Sequence, residues 1–195
     1  MSYIGLNHLK DSESPHLGGN MAEGDPFSFA PNVWNYVIER FSITSVLDLG
    51  SGLGHSSEYL FKKGMKVLAI DGMDENIENA LYPTLQVDLT KTFVSCKVDF
   101  VHCQEVVEHI DEEFIQNVIQ SLTCGKIILL TNALPGQGGY HHVNEQQVEY
   151  WIDHLRCYNC HVLAEDTHRI RELAQKDGAR YLAATGTLYA NRNRL

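Results

Sequence analysis

The run Gln104-Glu105-Val106-Val107-Glu108-His109 sets two carboxylates three residues apart with an imidazole directly behind them, and His141-His142 follow beyond the next apolar run. Carboxylate oxygens with one or two imidazole nitrogens form the donor set of Mg²⁺, Mn²⁺, Fe²⁺ or Zn²⁺ sites that keep positions open for substrate. On one helical turn Glu105 and either Glu108 or His109 can face a single point. Glu105, Glu108, His109, His141 and His142 are therefore the candidate metal ligands. A divalent cation makes an alcohol acidic enough to react near neutral pH, and two vicinal hydroxyls can chelate it. Glu105 and whichever of His141 and His142 stays off the metal are the candidates for taking the hydroxyl proton. The residues alone also allow a plainer reading. Glu105, Glu108 and Glu112 can form a solvated helix start, where acidic groups meet the positive end of the dipole, and His141-His142 can be ordinary loop.

A second constellation lies upstream. Asp48-Leu49-Gly50-Ser51-Gly52-Leu53-Gly54 follows an apolar run and precedes an amphipathic one. Glycines between a strand and a helix give a tight turn and let a ligand approach the backbone closely. The spacing departs from the dinucleotide pattern G-x-G-x-x-G, and an acid just before the first glycine suits a positively charged ligand better than a pyrophosphate. Ile70-Asp71-Gly72 closes the next apolar run, where an acid can accept the hydroxyl protons of a ribose, and Val87-Asp88-Leu89 closes the one after.

Positioning these residues requires an α/β layer. Apolar runs at 45–49, 66–70, 84–87, 99–103 and 126–131 read as short strands of a parallel sheet, with helices at 55–63, 74–81 and 112–122 between them. Pro31 sits where a helix can start, and Val33, Trp34, Val37, Ile38 and Phe41 follow at helical spacing. Asn144 is placed to cap a further helix that buries Val148, Trp151, Ile152 and Leu155, with Gln147 at its capping-box position. The end of the chain reads as strand 160–163, helix 166–176 and strand 181–189. Residues 1–30 are polar and rich in Gly, Ser and Pro, and read as an N-terminal loop or lid; residues 31–195 read as one domain.

At 195 residues and 44% hydrophobic, the chain can bury the core of one ordinary domain. Its formal charge of −10 disfavours extended contact with nucleic-acid phosphates. No apolar run is long enough to span a bilayer, and the N-terminus has no targeting pattern, so a cytoplasmic protein with no membrane partner is expected. Cys96, Cys103, Cys124, Cys157 and Cys160 form an odd set that reads as reduced thiols. Cys157 and Cys160 form a lone C-x-x-C that reads as two small apolar residues leading into a strand. Trp34 and Trp151 read as core. His8, His16, His55, His102, His154, His161 and His168 have no acidic partner at ligand spacing and read as ordinary histidines.

With these motifs in hand, the chain resembles the class I S-adenosylmethionine-dependent methyltransferases over roughly residues 42–135. The resemblance implies a Rossmann-like fold, a seven-stranded mainly parallel sheet with flanking helices and an antiparallel last strand. It assigns Asp48, Gly50, Gly52 and Gly54 to the methionine portion of S-adenosylmethionine, Asp71 with Gly72 to the ribose, Asp88 with Leu89 to the adenine, and Gln104 to the cofactor wall. The E-x-x-E-H arrangement of Glu105, Glu108 and His109 resembles metal-dependent O-methyltransferases that act on the terminal ribose of small RNAs or in ubiquinone biosynthesis. In the RNA enzymes a further histidine completes the metal shell, which His141 or His142 matches by position. The expected activity is methylation of a sugar or glycan hydroxyl. A catechol-like small molecule or an RNA 3′ end is the alternative acceptor. A non-catalytic interaction module is a further alternative, and intact Asp48, Asp71, Glu105 and Glu108 speak against it.

Overall fold

Short strands that are apolar on both faces need cover on both sides, and the amphipathic stretches between them supply it. The computed structural model describes residues 13–19, 21 and 24–195. After a 3₁₀ turn at Pro15–Leu17, the chain forms α1 (Pro31–Phe41), β1 (Ser45–Leu49), α2 (His55–Lys62), β2 (Lys66–Asp71), α3 (Asp74–Glu78), β3 (Thr84–Gln86) and β4 (Val98–Cys103). It continues with α4 (Ile115–Leu122), β5 (Gly125–Leu130), α5 (Val148–Arg156), β6 (Cys160–Val162), α6 (Ala164–Asp177), α7 (Arg180–Thr185) and β7 (Thr187–Asn191).

The seven strands lie in the order β3-β2-β1-β4-β5-β7-β6. β7 pairs antiparallel with both neighbours and alone of the seven runs against the rest. This is the expected class I methyltransferase sheet. The strand order reverses between β1 and β4, which opens a crevice at their carboxyl ends. Asp48 sits directly beside His102 in the β1–β4 register.

Alternation along each strand divides the core in two. Leu47, Leu49, Val101, Cys103, Ile128 and Leu130 pack under α4 and α5, where Ile119, Leu122, Trp151 and Leu155 are buried. Val46, Phe100, Ile127 and Leu129 face α1, α2, α6 and α7 through Trp34, Leu60, Ile170 and Leu182. Asp48 and His102 stand two residues beyond Val46 and Phe100 and so turn to the same side, a polar pair at the rim of the second core. Both tryptophans are buried, as expected.

Several expectations need correction. The helix expected over 74–81 stops at Glu78, because the Leu81 amide turns back to the Leu53 carbonyl at 3.0 Å and Pro83 follows. The helix expected over 112–122 is a 3₁₀ turn at Glu112–Phe114 running into α4. The final run 181–189 is not one strand: α7 buries Leu182, and the strand begins only after Gly186. Its alanines favour helix, and apolar content alone did not separate the two. Asn144 is not the cap of α5, whose N-cap position is Gln147; the Asn144 side chain instead donates to the Ile110 carbonyl at 3.2 Å. Of the N-terminal loop or lid at 1–30, residues 1–12, 20, 22 and 23 lie outside the described residues, His8 among them.

The Leu129 side chain, fully buried in the second core, has no solvent to collapse toward. Leu129→Ala is expected to cost about 2–5 kcal/mol of unfolding free energy with an unchanged urea m-value. A loss under about 0.5 kcal/mol would mean that this core does not carry the fold.

Candidate functional site

The glycine loop is built by hydrogen bonding to its neighbouring strand. The Gly50 and Ser51 amides both donate to the Ile70 carbonyl, at 3.0 and 2.8 Å, which pulls the chain across the end of β2. Gly50, Gly52 and Gly54 hold φ of 73°, 54° and 77°, a left-handed sequence that a side chain would strain. A Cβ on Gly50 would also run into the Val106 side chain.

Asp48 is 1% exposed, and both of its oxygens are used. Oδ2 accepts from the Ser56 and Ser57 hydroxyls at 2.6 and 2.5 Å, and Oδ1 lies 2.7 Å from Nδ1 of His102. Burial alone would raise its pKa; His102 and the two serines outweigh that and hold it below the usual carboxylate value. Asp71 accepts from the Gly52 amide at 2.8 Å, the Met73 amide at 3.0 Å and the Asn76 side chain at 2.9 Å. In its case burial prevails and pushes the pKa up. Asp88 is occupied differently. Its carboxylate caps the Thr90 amide at 2.9 Å and lies 3.1 Å from His16 Nε2 and 3.0 Å from Lys91 Nζ. Burial raises the pKa, but Thr90, Lys91 and His16 lower it further, to about 2.

At the end of β4 the chain makes no regular helical turn. Glu105 takes φ of 55°, an uncommon value for a side-chain-bearing residue, and Val107–His109 close a 3₁₀ turn. Thr131, the residue just after β5, fixes Glu105: its hydroxyl accepts from the Glu105 amide and donates to the carboxylate, each at 2.8 Å. The loop after β5 is tied to the same turn. The Val143 and Asn144 amides both donate to the Glu108 carbonyl, at 2.9 and 3.0 Å. Glu145 gathers the loop by accepting from the Gly136 and Gly138 amides at 2.7 and 2.6 Å, with His142 Nδ1 at 3.3 Å.

This folding brings Glu108, His109 and His142 together, with one potential ligand atom from each lying within 4.8 Å of the others. The His109 and His142 rings meet edge to face at 5.0 Å. A Cβ on Gly19 or on Gly139 would strike the His109 or the His142 ring, so both imidazoles are packed directly against backbone. Glu108 is fully buried, yet neither of its carboxylate oxygens, nor Nδ1 of His109, has a hydrogen bond among the described residues. Such atoms are costly unless something else satisfies them. Burial pushes the Glu105 carboxyl up to about 7, and burial with the Glu105 charge holds Glu108 well above the usual range. Burial, then His142 and His141, bring His109 down to about 3, which leaves its ring neutral and able to coordinate. This donor set fits a divalent cation. His141 does not join the cluster; it takes φ of 49° in the loop.

One cavity of about 570 Å³ joins the two constellations. Its walls include Asp48, Gly50, Gly52, Asp71, Gly72, Leu89 and Gln104 at one end, and Glu105, Glu108, His109 and His142 at the other. Gly54, Asp88 and His141 are not among the lining residues, although Val87 and Leu89 are. From the described part of the N-terminal segment, His16 to Gly19, Met21, Gly24 to Pro26, Ser28 and Phe29 also face the cavity, along with Trp34, Tyr140 and Tyr181.

Three histidines read as ordinary have acidic partners: exposed His168 lies 3.3 Å from Glu172 one helical turn on, and in the cavity wall His16 meets Asp88 and His102 meets Asp48. Ligand spacing along the chain could not reveal the last two, since these partners are 72 and 54 residues apart. For His102 a usable signal was present. Asp48 and His102 each stand one residue before the end of a strand, and adjacent parallel strands that end together bring such positions side by side.

Residues 47–130 match the methyltransferase domain family. The chain is 28% identical over 114 residues to the ubiquinone biosynthesis O-methyltransferase of Rickettsia typhi, an alignment covering 49% of this chain and 46% of that protein. The chain thus spans under half the length of the curated relatives that it matches. Among solved structures, the fold is similar to the plantazolicin methyltransferase BpumL in complex with SAH (TM-score 0.60, 16% identity, covering 86% of this chain and 85% of that one). It is also similar to the methyltransferase domain of bacterial CtHen1 (TM-score 0.55, 19% identity, covering 68% and 85%).

The raised carboxyl of Glu105 has a definite pH signature. Its folded pKa of about 7 exceeds the ordinary 4.5, so the folded state holds the proton more tightly. Its contribution to stability is full below pH 4.5 and is lost as pH rises through 7. Urea unfolding in the presence of a chelator should show the wild type losing more stability between pH 5 and pH 8 than Glu105→Gln does. Parallel curves would show that Glu105 is not held protonated by burial.

Proposed function

We propose that the chain is an S-adenosylmethionine-dependent O-methyltransferase in which Glu108, His109 and His142 hold a divalent cation, Mg²⁺, Mn²⁺, Fe²⁺ or Zn²⁺. The observation that carries this reading is the single cavity, with a glycine loop and two acids at one end and a buried carboxylate lacking hydrogen bonds beside two imidazoles at the other. The methyltransferase domain match over residues 47–130 supports the cofactor half.

The cofactor supplies an electrophilic methyl group on a sulfonium, and the cation supplies acidity to a coordinated hydroxyl. The protein's residues do the rest. Asp48 with Gly50 and Gly52 surrounds the methionine portion while Gly54 completes the loop behind them, Asp71 and Gly72 take the ribose, and Leu89 takes the adenine beside the turn that Asp88 holds. Gln104 closes the wall between the cofactor and the acceptor. Glu108, the neutral His109 and His142 offer lone pairs to the cation, and Glu145 holds His142 in place. Glu105, with its carboxyl near pH 7 and fixed by Thr131, takes the proton of the reacting hydroxyl. His141 stays outside this assignment. The segment up to residue 30 serves as a lid, since its described part from His16 to Phe29 faces the cavity. Holding methyl and hydroxyl in line at about 3 to 3.5 Å accounts for several kcal/mol of barrier.

The acceptor that suits a chelating site is a vicinal diol, and a sugar or glycan hydroxyl is our first reading. The net charge of −10 supports a small acceptor over RNA. A catechol-like ring is the second reading, favoured by the name of the relative from Rickettsia typhi. The five free cysteines support a reducing, cytoplasmic setting, and no helix among the described residues is long and apolar enough to cross a membrane.

Calorimetry of S-adenosylhomocysteine titrated into metal-stripped protein, followed by Mg²⁺, Mn²⁺ and Zn²⁺, tests both halves. Wild type is expected to bind one cofactor and one cation. Glu108→Ala should keep the cofactor, lose the cation and lose methyl transfer, whereas Asp71→Ala should weaken the cofactor roughly 10-fold or more. Cation binding and methyl transfer unchanged in Glu108→Ala would remove the metal from the reading. Methylation of sugars, catechols and an RNA 3′ end, assayed side by side, decides the acceptor.

A further inference from the structure

We infer that His102 is a positioning residue for the cofactor, holding Asp48 in place through a single ring tautomer that Trp34 selects. The inference rests on the methyltransferase reading and extends it to a residue outside the motifs.

His102 is 4% exposed and lies beside Asp48 on the adjoining strand, with Nδ1 2.7 Å from Oδ1. Its other nitrogen, Nε2, receives the Trp34 indole N–H at 3.3 Å. An indole N–H can only donate, so Nε2 must present its lone pair. The ring proton then sits on Nδ1, where an ionised carboxylate needs a donor. Both neighbours demand the same tautomer. Gln104 Oε1 also lies 3.3 Å from Nε2, but in this tautomer both atoms are acceptors and no hydrogen bond joins them. The Gln104 side chain is anchored on its other side by donating to the Ser28 carbonyl at 3.2 Å.

The arrangement links the elements that wall the methionine end of the cavity. Ser56 and Ser57, in the first turn of α2, hold Oδ2 of Asp48, while His102 on β4 holds Oδ1. Trp34 comes from α1 and itself lines the cavity. Without the His102 donor, Oδ1 would be a buried carboxylate oxygen with no hydrogen bond. Such a group relaxes by rotating or by taking a proton, and either change removes the fixed negative charge offered to a cationic ligand.

The test separates donor position from simple core filling. An asparagine amide nitrogen falls near the place of Nδ1, and a glutamine amide nitrogen near that of Nε2. His102→Asn should keep affinity for S-adenosylhomocysteine within about 3-fold of wild type, and His102→Gln should weaken it roughly 10- to 100-fold. In turnover, His102→Gln should raise KM for S-adenosylmethionine and leave kcat at saturation unchanged. Long-range ¹H–¹⁵N spectra of the folded wild type should show the His102 ring protonated at Nδ1. Equal cofactor affinity in all three proteins, with only Tm altered, would make His102 a core residue and overturn the inference while leaving the methyltransferase reading intact. A proton on Nε2 would overturn it too. Failure of the wild type to bind S-adenosylhomocysteine would overturn both.

Discussion

Burying carboxylates is the constraint on which the rest of this structure turns. Asp48, Asp71 and Glu108 are all largely removed from solvent at one edge of the sheet, where an ion without partners is expensive. The chain meets that cost in two ways. Asp48 and Asp71 are enclosed by donors from neighbouring elements, and these donors also fix the shape of the glycine loop. Glu108 finds no such donor among the described residues, and Glu105 is held by the Thr131 hydroxyl. One end of the cavity is therefore electrostatically complete within the protein, and the other calls for a cation or protons.

The crevice exists because β1 lies between β2 and β4, so that the connections leaving β1 and β4 part in opposite directions. Everything with chemical potential is delivered to that opening by short connections at strand ends. Backbone hydrogen bonds set the geometry more than side chains do. The Ile70 carbonyl draws the glycine loop over β2, and the Glu108 carbonyl draws the His142 loop over the end of β4. Glu105 and His141 take left-handed backbone where the chain must turn sharply to make these connections.

The N-terminal segment adds a third layer. Leu17 packs against Gly72, Gly19 lies on the His109 ring and His16 meets Asp88, so the described part of this segment touches both ends of the cavity.

The sequence by itself determined the sheet and its motifs. Short apolar runs, amphipathic helices and glycines after a strand are local patterns, and local patterns report local geometry. They located the five strands of the parallel run, at whose ends the candidate residues stand. They failed where short apolar stretches suit helix and strand equally, as at 181–189, and where a tie across the fold ends an element, as at Leu81. Only the tertiary structure decided that His142 and not His141 meets Glu108 and His109, because loop direction depends on hydrogen bonds to residues far away in the chain. Only the β1–β4 register seated His102 beside Asp48, because strand pairing is a non-local choice that no spacing within one segment records.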